Sequence, residues 1–172
     1  MIIWLIGMSG SGKTTLGREI ATQLRSVALN TVLLDGDEVR EIFKHHYGEH
    51  PYSIEGRHIN AERLTALCEM LDRQGIHVVC CVLSIFPEMR LENRRRFSAY
   101  FEVFMDAALN VLESRDVKGL YAAARRGEVS NVVGVDIPFP RPEHPDMIID
   151  SSGTGSNIAA LASQVLKRAG LL

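Results

Sequence analysis

The feature that most restricts this chain is a glycine-rich stretch behind a short apolar run: residues 2–15 read IIWLIGMSGSGKTT. The apolar part has the continuity of a strand buried on both faces. Directly after it, Gly7, Gly12, Lys13 and Thr14 stand at the spacing glycine, four residues, glycine, lysine, serine or threonine. Each residue type there has a physical reason. Glycines let backbone N–H groups turn inward without a Cβ in the way. The helix predicted from residue 14 aims its positive N-terminus at the same point. Lys13 reaches the β- and γ-phosphates of a nucleoside triphosphate, and the Thr14 hydroxyl completes a Mg²⁺ shell. The expected ATP-binding set is therefore Gly7, Ser9, Gly10, Ser11, Gly12, Lys13, Thr14 and Thr15, with Mg²⁺ as cofactor held by Thr14. The competing reading is a glycine turn that matches by chance; the strand before it and the helix after it argue against that.

A length of 172 residues suits one domain, expected over 1–172, and 46% hydrophobic residues suffice for one buried core. A net charge of −2 gives no global attraction to nucleic acid or to a membrane surface. Cys68, Cys80 and Cys81 lack metal-ligand spacing, and the adjacent pair points to opposite faces of a strand. They read as reduced core cysteines. No run reaches the about 20 apolar residues of a membrane helix, and the first apolar run is too short for a signal peptide. A cytoplasmic location is expected.

Apolar runs then alternate with helical patterns. Residues 14–24 read as a helix, and 31–37 (TVLLDGD) as a second strand ending in acid. Residues 60–74 place Leu64, Leu67, Cys68 and Leu71 on one helical face, with Gly75 as the stop. The third strand is 76–85 (IHVVCCVLSI), the fourth 100–106 and the fifth 146–152. Between them lie a basic helix at 87–97, whose Arg94, Arg95 and Arg96 read as a solvated face, and a short Ala- and Arg-rich helix at 117–126. The last helix buries Ile158, Leu161, Val165 and Leu166, and the proline-rich segment 130–145 reads as an ordered loop over the site. The sum is an α/β fold: a five-stranded parallel sheet with helices on both faces. Ligands in such sheets bind at the carboxyl ends of the strands, and Lys13, Asp35, Asp37 and Ser84 all follow strands.

A phosphate loop serves kinases and nucleotide switches alike. A switch needs a guanine-reading segment and loops that sense the γ-phosphate, and no guanine-reading segment follows the fourth strand. A small-molecule kinase is the preferred reading; a non-catalytic nucleotide switch is the alternative from another class. In LDGDEVR, Asp35 and Asp37 end the second strand and would face the phosphate loop. A kinase needs a carboxylate there to accept a hydroxyl proton or to hold Mg²⁺. Asp is also favoured as a helix N-cap, which is compatible with either task. Arg40 falls one helical turn beyond Asp37 and suits an anionic acceptor.

GMSGSGKTTL, LDGDEVR, RDVKGLYAAARRGE and NVVGVD, in this order, resemble the adenylyl-sulfate kinase family over roughly residues 2–151. The segment 102–128, with its lid-like basic helix, carries the likeness furthest. The resemblance implies a P-loop kinase fold with a small lid at about 117–127, and transfer of the ATP γ-phosphate to the ribose 3′-hydroxyl of a small nucleotide with Mg²⁺. It implies that Lys13, Asp35 and Asp37 are catalytic and that Asp35 joins Thr14 at the metal. Arg115 would assist ATP. Asp37, Arg40, Tyr52, Arg57, Asn60, Ser84, Ile85, Lys118 and Val132 would bind the acceptor, Lys118 closing from the lid. It further implies a homodimer, although no apolar stripe specifies one, and no fused sulfurylase domain is expected.

Three departures fall on the acceptor side. The family sandwiches the acceptor adenine between two phenylalanines, where this chain has Tyr52 and Val132. Val132 offers no π-face, and one lost stacking partner costs about 1–3 kcal/mol. Gly56 stands before Arg57 where the family has Asp, and LSIFPE replaces a serine–proline–tyrosine segment. The default acceptor is adenylyl sulfate. A narrower slot suits a pyrimidine too, so the alternative is the branch acting on cytidine diphosphoramidate in capsule modification.

Overall fold

The computed structural model describes residues 1–44, 50–116, 118–153 and 157–172. Five parallel strands form one sheet: β1 (Ile2–Ile6), β2 (Thr31–Asp35), β3 (His77–Val82), β4 (Tyr100–Asp106) and β5 (Met147–Asp150), in the order β2-β3-β1-β4-β5. Strand β1 is central. Ile2 pairs in register with Val78 on one side and Tyr100 on the other, and Ile6 with Val82 and Phe104. The chain winds one way from β1 to β3 and β2 and the other way to β4 and β5. The order therefore reverses at the carboxyl end of β1, where α/β sheets open a ligand crevice.

Period-two alternation divides β1 between two cores. Ile3 and Leu5 pack with Leu16, Ile20 and Leu24 of α1 (Lys13–Val27) and with Ala162, Val165 and Leu166 of α7 (Ile158–Arg168). Ile2, Trp4 and Ile6 face Val39 of α2 (Gly36–Ile42), Leu64 and Cys68 of α3 (Ile54–Asp72), and Phe97 beyond α4 (Pro87–Arg96). The rim is completed by α5 (Leu109–Arg115) and α6 (Leu120–Arg125). Cys81 joins the first core and Cys80 the second, and all three cysteines are buried and free, as their spacing implied. Among the described residues no helix is long and apolar enough to cross a membrane.

The structure corrects several expected boundaries. Helix α3 starts at Ile54 rather than at 60, because the Ser53 side chain accepts the Gly56 N–H and caps it. Its first turn faces the cleft instead of a core, so no apolar period marks it. The helix expected at 117–126 is shorter, Leu120–Arg125, entered through Gly119 at φ 64°; Val117 lies outside the described residues. The arginine run is not simply solvated. Arg94 grips Asp146 at 2.9 Å, and Asp146 also accepts the Glu102 N–H at 2.7 Å, which ties α4 to the start of β5. Arg96 lies 3.7 Å from Glu69 of α3.

One close contact fixes how deeply α1 sits on the sheet. A Cβ built on Gly17 would lie 2.2 Å from the Cys81 sulfur, and both residues are buried. Gly17→Ala is expected to destabilise by about 1–3 kcal/mol despite the better helix propensity of Ala. Thermal denaturation checks this, and Gly17→Ala/Cys81→Ala should recover most of the loss.

Candidate active site

The loop after β1 turns sharply into α1. Gly12 caps the helix at φ 90°, a left-handed conformation that side-chain-bearing residues rarely adopt. Within the loop the Lys13 ammonium donates to the Met8 carbonyl at 2.8 Å, which holds it over the cradle. Burial pulls its pKa down to about 8, partly offset by Cys81, Asp37 and Asp35. A bound triphosphate would restore the charge. ATP affinity is therefore expected to weaken about tenfold between pH 7 and pH 9, because the empty site must first take up a proton. Calorimetric titration at the two pH values checks this; the dependence should vanish in Lys13→Met.

Across the loop, β2 delivers two carboxylates with different surroundings. Asp35 is buried, with both oxygens engaged: one accepts the Thr14 hydroxyl at 2.6 Å, the other the Asp37 N–H at 2.9 Å, capping α2. Asp37 is 63% exposed and its carboxylate meets Lys118 at 3.0 Å, a contact that raises the lysine pKa. Capping of α2 and contact with the phosphate loop thus fall on the same residue, Asp35.

Further along the cleft, Arg40 is buried and donates to the Pro51 carbonyl, its guanidinium 4.8 Å from the Tyr52 ring centroid. The Arg57 guanidinium lies 5.6 Å from the same ring and donates to the Asn131 carbonyl at 2.7 Å. Burial, then the charge of Arg40, lowers its pKa to about 10. Asn60 is buried and donates to the Gly36 carbonyl at 3.2 Å, joining α3 to the start of α2. Two guanidiniums clustered in one crevice, with burial and the neighbouring Arg40 charge lowering the proton affinity of Arg57, are an arrangement that an anion would relieve.

These groups share one cavity of about 690 Å³. Its walls include Ser9, Gly10, Gly12, Lys13, Thr14 and Thr15 from the phosphate loop, and Asp35, Asp37 and Arg40 from the second wall. Tyr52, Arg57, Asn60, Lys118 and Val132 complete the expected set that lines it. Five expected residues do not. Gly7 and Ser11 shape the loop from behind: a Cβ on Gly7 would lie 2.7 Å from the Met105 carbonyl. Ser84 is buried, and β3 hands the cleft Val82 and Leu83 instead of Ser84 and Ile85. Arg115 donates to the Ser152 and Gly153 carbonyls at 2.7 and 3.0 Å, on the far side of the loop. Val132 touches the cavity but is only 3% exposed, its side chain sunk among Ala107, Leu112 and Tyr121.

Sequence reasoning missed Tyr121, whose hydroxyl donates to the Ser9 carbonyl at 2.9 Å and pins α6 to the phosphate loop. The signal was a lone aromatic in an Ala- and Arg-rich helix. His50 and Cys81 also line the cavity unforeseen.

Among the described residues no group of three or more His, Cys, Asp or Glu is placed to hold a metal. The Thr14–Asp35 pair nonetheless fits Mg²⁺, which keeps several waters and binds through one or two protein oxygens together with substrate phosphates.

A phosphate cradle facing carboxylates, beside the short helix α6 on a five-stranded parallel sheet, defines a phosphotransferase of the P-loop kinase class acting on an alcohol group. The chain belongs to the adenylylsulphate kinase family, which matches residues 1–150. It is similar to the cytidine diphosphoramidate kinase of Campylobacter jejuni subsp. jejuni serotype O:2, 37% identical over 99% of this chain and 96% of that protein. An adenylyl-sulfate kinase of Synechococcus sp. (strain JA-3-3Ab) is also 37% identical, again over 99% and 96%. Among solved structures, the Mycobacterium tuberculosis APS kinase CysC in complex with AMPPNP and APS superposes with a TM-score of 0.84 at 32% identity, covering 97% of this chain and 95% of that one. The fold and the enzyme class read from the sequence are those of these relatives, and the nucleotide-switch reading falls away.

Proposed function

We propose that this protein transfers the γ-phosphate of ATP to the ribose 3′-hydroxyl of a nucleoside 5′-phospho-conjugate, with adenylyl sulfate as the first acceptor. One observation carries the reading. Lys13, the Asp35–Asp37 pair, Arg40 and Arg57 all line a single cavity, which supports a reading in which a triphosphate, a sugar hydroxyl and a second anion share it.

The two carboxylates divide the work. Asp35, already bonded to Thr14, would hold Mg²⁺ with it, and the ion would neutralise charge on the β- and γ-phosphates. Asp37, exposed and at the start of α2, accepts the 3′-hydroxyl proton. Lys13 stabilises the transferring phosphoryl group, and Lys118 leaves Asp37 to close over the phosphates from the lid. Arg40 and Arg57 bind the acceptor's 5′-linked anion, and Tyr52 stacks on its base. Arg115 would act on ATP only indirectly, through the 152–153 segment whose carbonyls it binds.

Two observations favour a second acceptor, cytidine diphosphoramidate. Val132 gives the base no aromatic face, and the relative that acts on that conjugate is as similar as the adenylyl-sulfate kinase. Incubation with ATP, Mg²⁺ and each acceptor, followed by NMR location of the new phosphate, tests the reaction. A product phosphorylated at the 3′-oxygen is expected, and absence of transfer to either acceptor would refute it. Competition between the two acceptors ranks them.

A further inference from the structure

Gly56 lies in the first turn of α3 without a positive φ, yet the structure leaves no room there for a side chain. A Cβ built on it would sit 2.5 Å from the His50 carbonyl oxygen and 2.8 Å from both the carbon and the oxygen of the Pro51 carbonyl. These are backbone atoms, so no rotamer change relieves the clash. The turn 50–53 therefore lies flat on α3 only because residue 56 is glycine.

Polar contacts hold the turn in that seat. The Ser53 N–H and hydroxyl both donate to the His50 carbonyl, at 3.2 and 2.8 Å. The Ser53 hydroxyl oxygen in turn accepts the Gly56 N–H at 3.1 Å. Arg40 reaches across from α2 to the Pro51 carbonyl. The turn carries Tyr52 into the cleft and sets its ring beside the guanidiniums of Arg40 and Arg57. One missing Cβ thus propagates through backbone contact to the aromatic face and to an arginine of the same subsite.

We propose that Gly56 is a specificity-determining position of the acceptor site: its lack of a side chain sets the depth at which Tyr52 enters the cleft, and so which nucleoside base is accepted. This rests on the acceptor reading given above. Gly56 touches neither substrate; it acts through the turn. Adding a side chain lifts the turn from α3, moves Tyr52 away from the two guanidiniums and changes the space between Tyr52 and the wall at Val132. The phosphate loop, built on β1 and α1, does not share this path.

The test is steady-state kinetics of Gly56→Ala with adenylyl sulfate and cytidine diphosphoramidate as acceptors. The KM for the preferred acceptor should rise about tenfold, the size of a lost base stack, while the KM for ATP stays within about twofold. The ratio of kcat/KM between the two acceptors should shift. Tyr52→Ala should raise the acceptor KM of the wild-type protein and add little in the Gly56→Ala background, because the ring is already displaced. Ser53→Ala adds no atoms, loosens the same turn and should shift the acceptor KM in the same direction; it decides the matter if Gly56→Ala does not fold. An active wild type whose acceptor KM and acceptor preference are unchanged by these substitutions overturns the inference alone. A wild type that phosphorylates neither acceptor overturns the acceptor reading, and this inference falls with it.

Discussion

Asp37→Asn is expected to lower kcat by a factor of about 10²–10⁴, the usual contribution of a positioned general base, with little change in the affinity for ATP. The residue is 63% exposed and its ion pair with Lys118 spans open solvent, so the folded state has little at stake: such pairs contribute about 0–1 kcal/mol. Unfolding midpoints should therefore stay near the wild-type value, which separates lost chemistry from lost structure. Asp35→Asn should behave differently. Asn caps a helix about as well as Asp, so α2 should persist, but the carboxylate that meets Thr14 becomes neutral. The Mg²⁺ concentration for half-maximal rate should rise, and part of the activity should return at high Mg²⁺. Rate measurements over a Mg²⁺ series distinguish the two variants. An Asp37→Asn enzyme with undiminished kcat would remove Asp37 from the chemistry.

Lys13→Met is the second large effect. It should cost about 10³-fold in kcat/KM for ATP, about 4 kcal/mol of transition-state stabilisation. Phosphoryl transfer offers the protein little covalent chemistry, so fixed positive charge at the transferring group carries much of the catalysis. Lys13 is well placed for that, because the Met8 carbonyl already holds its ammonium in the loop. Methionine preserves length and apolar volume while deleting the charge, so the loop should keep its shape. Burial lowers the lysine pKa to about 8 in the empty protein, so the folded state disfavours the charge that Met removes, and Met should not destabilise the free enzyme. Stopped-flow or initial-rate kinetics at neutral pH, with circular dichroism as the folding control, check the prediction.

The parts of the site that could be read from the sequence are those in which a few consecutive residues do the work. The phosphate loop is one: Gly12 sets a left-handed turn, and the Met8 carbonyl five residues back holds the Lys13 ammonium, so both follow from neighbouring residues. Asp35 is another, because a strand that ends in Asp-Gly-Asp carries both a cap and a carboxylate into a cleft. Less was legible where chain-distant groups meet. The pairing of Lys118 with Asp37 joins residues 81 positions apart, and the Tyr121 hydroxyl reaches Ser9 across 112. No periodicity encodes either. The resemblance implies Ser84 and Ile85 as acceptor residues, while the residues after Cys81 that line the cavity are Val82 and Leu83. A shift of one or two residues along a strand end decides which side chain meets the ligand. Arg94 looked like part of a solvated run, and only the return of β5 beside β4 supplied Asp146 as its partner.

The order of apolar runs, the glycine–lysine–threonine spacing and the acid at the end of the second strand already determined an α/β kinase that holds a triphosphate. These are local signals, and hydrophobic periodicity and loop chemistry act within a few residues. The acceptor end was decided only by tertiary structure. Whether Val132 forms a slot or sinks into the cluster around Tyr121, and whether Gly56 is an omission or a seat for the turn that carries Tyr52, depend on how α3, α6 and the 130–136 segment pack against one another. Close packing is a property of surfaces brought together by the whole fold, and no window of sequence contains both surfaces.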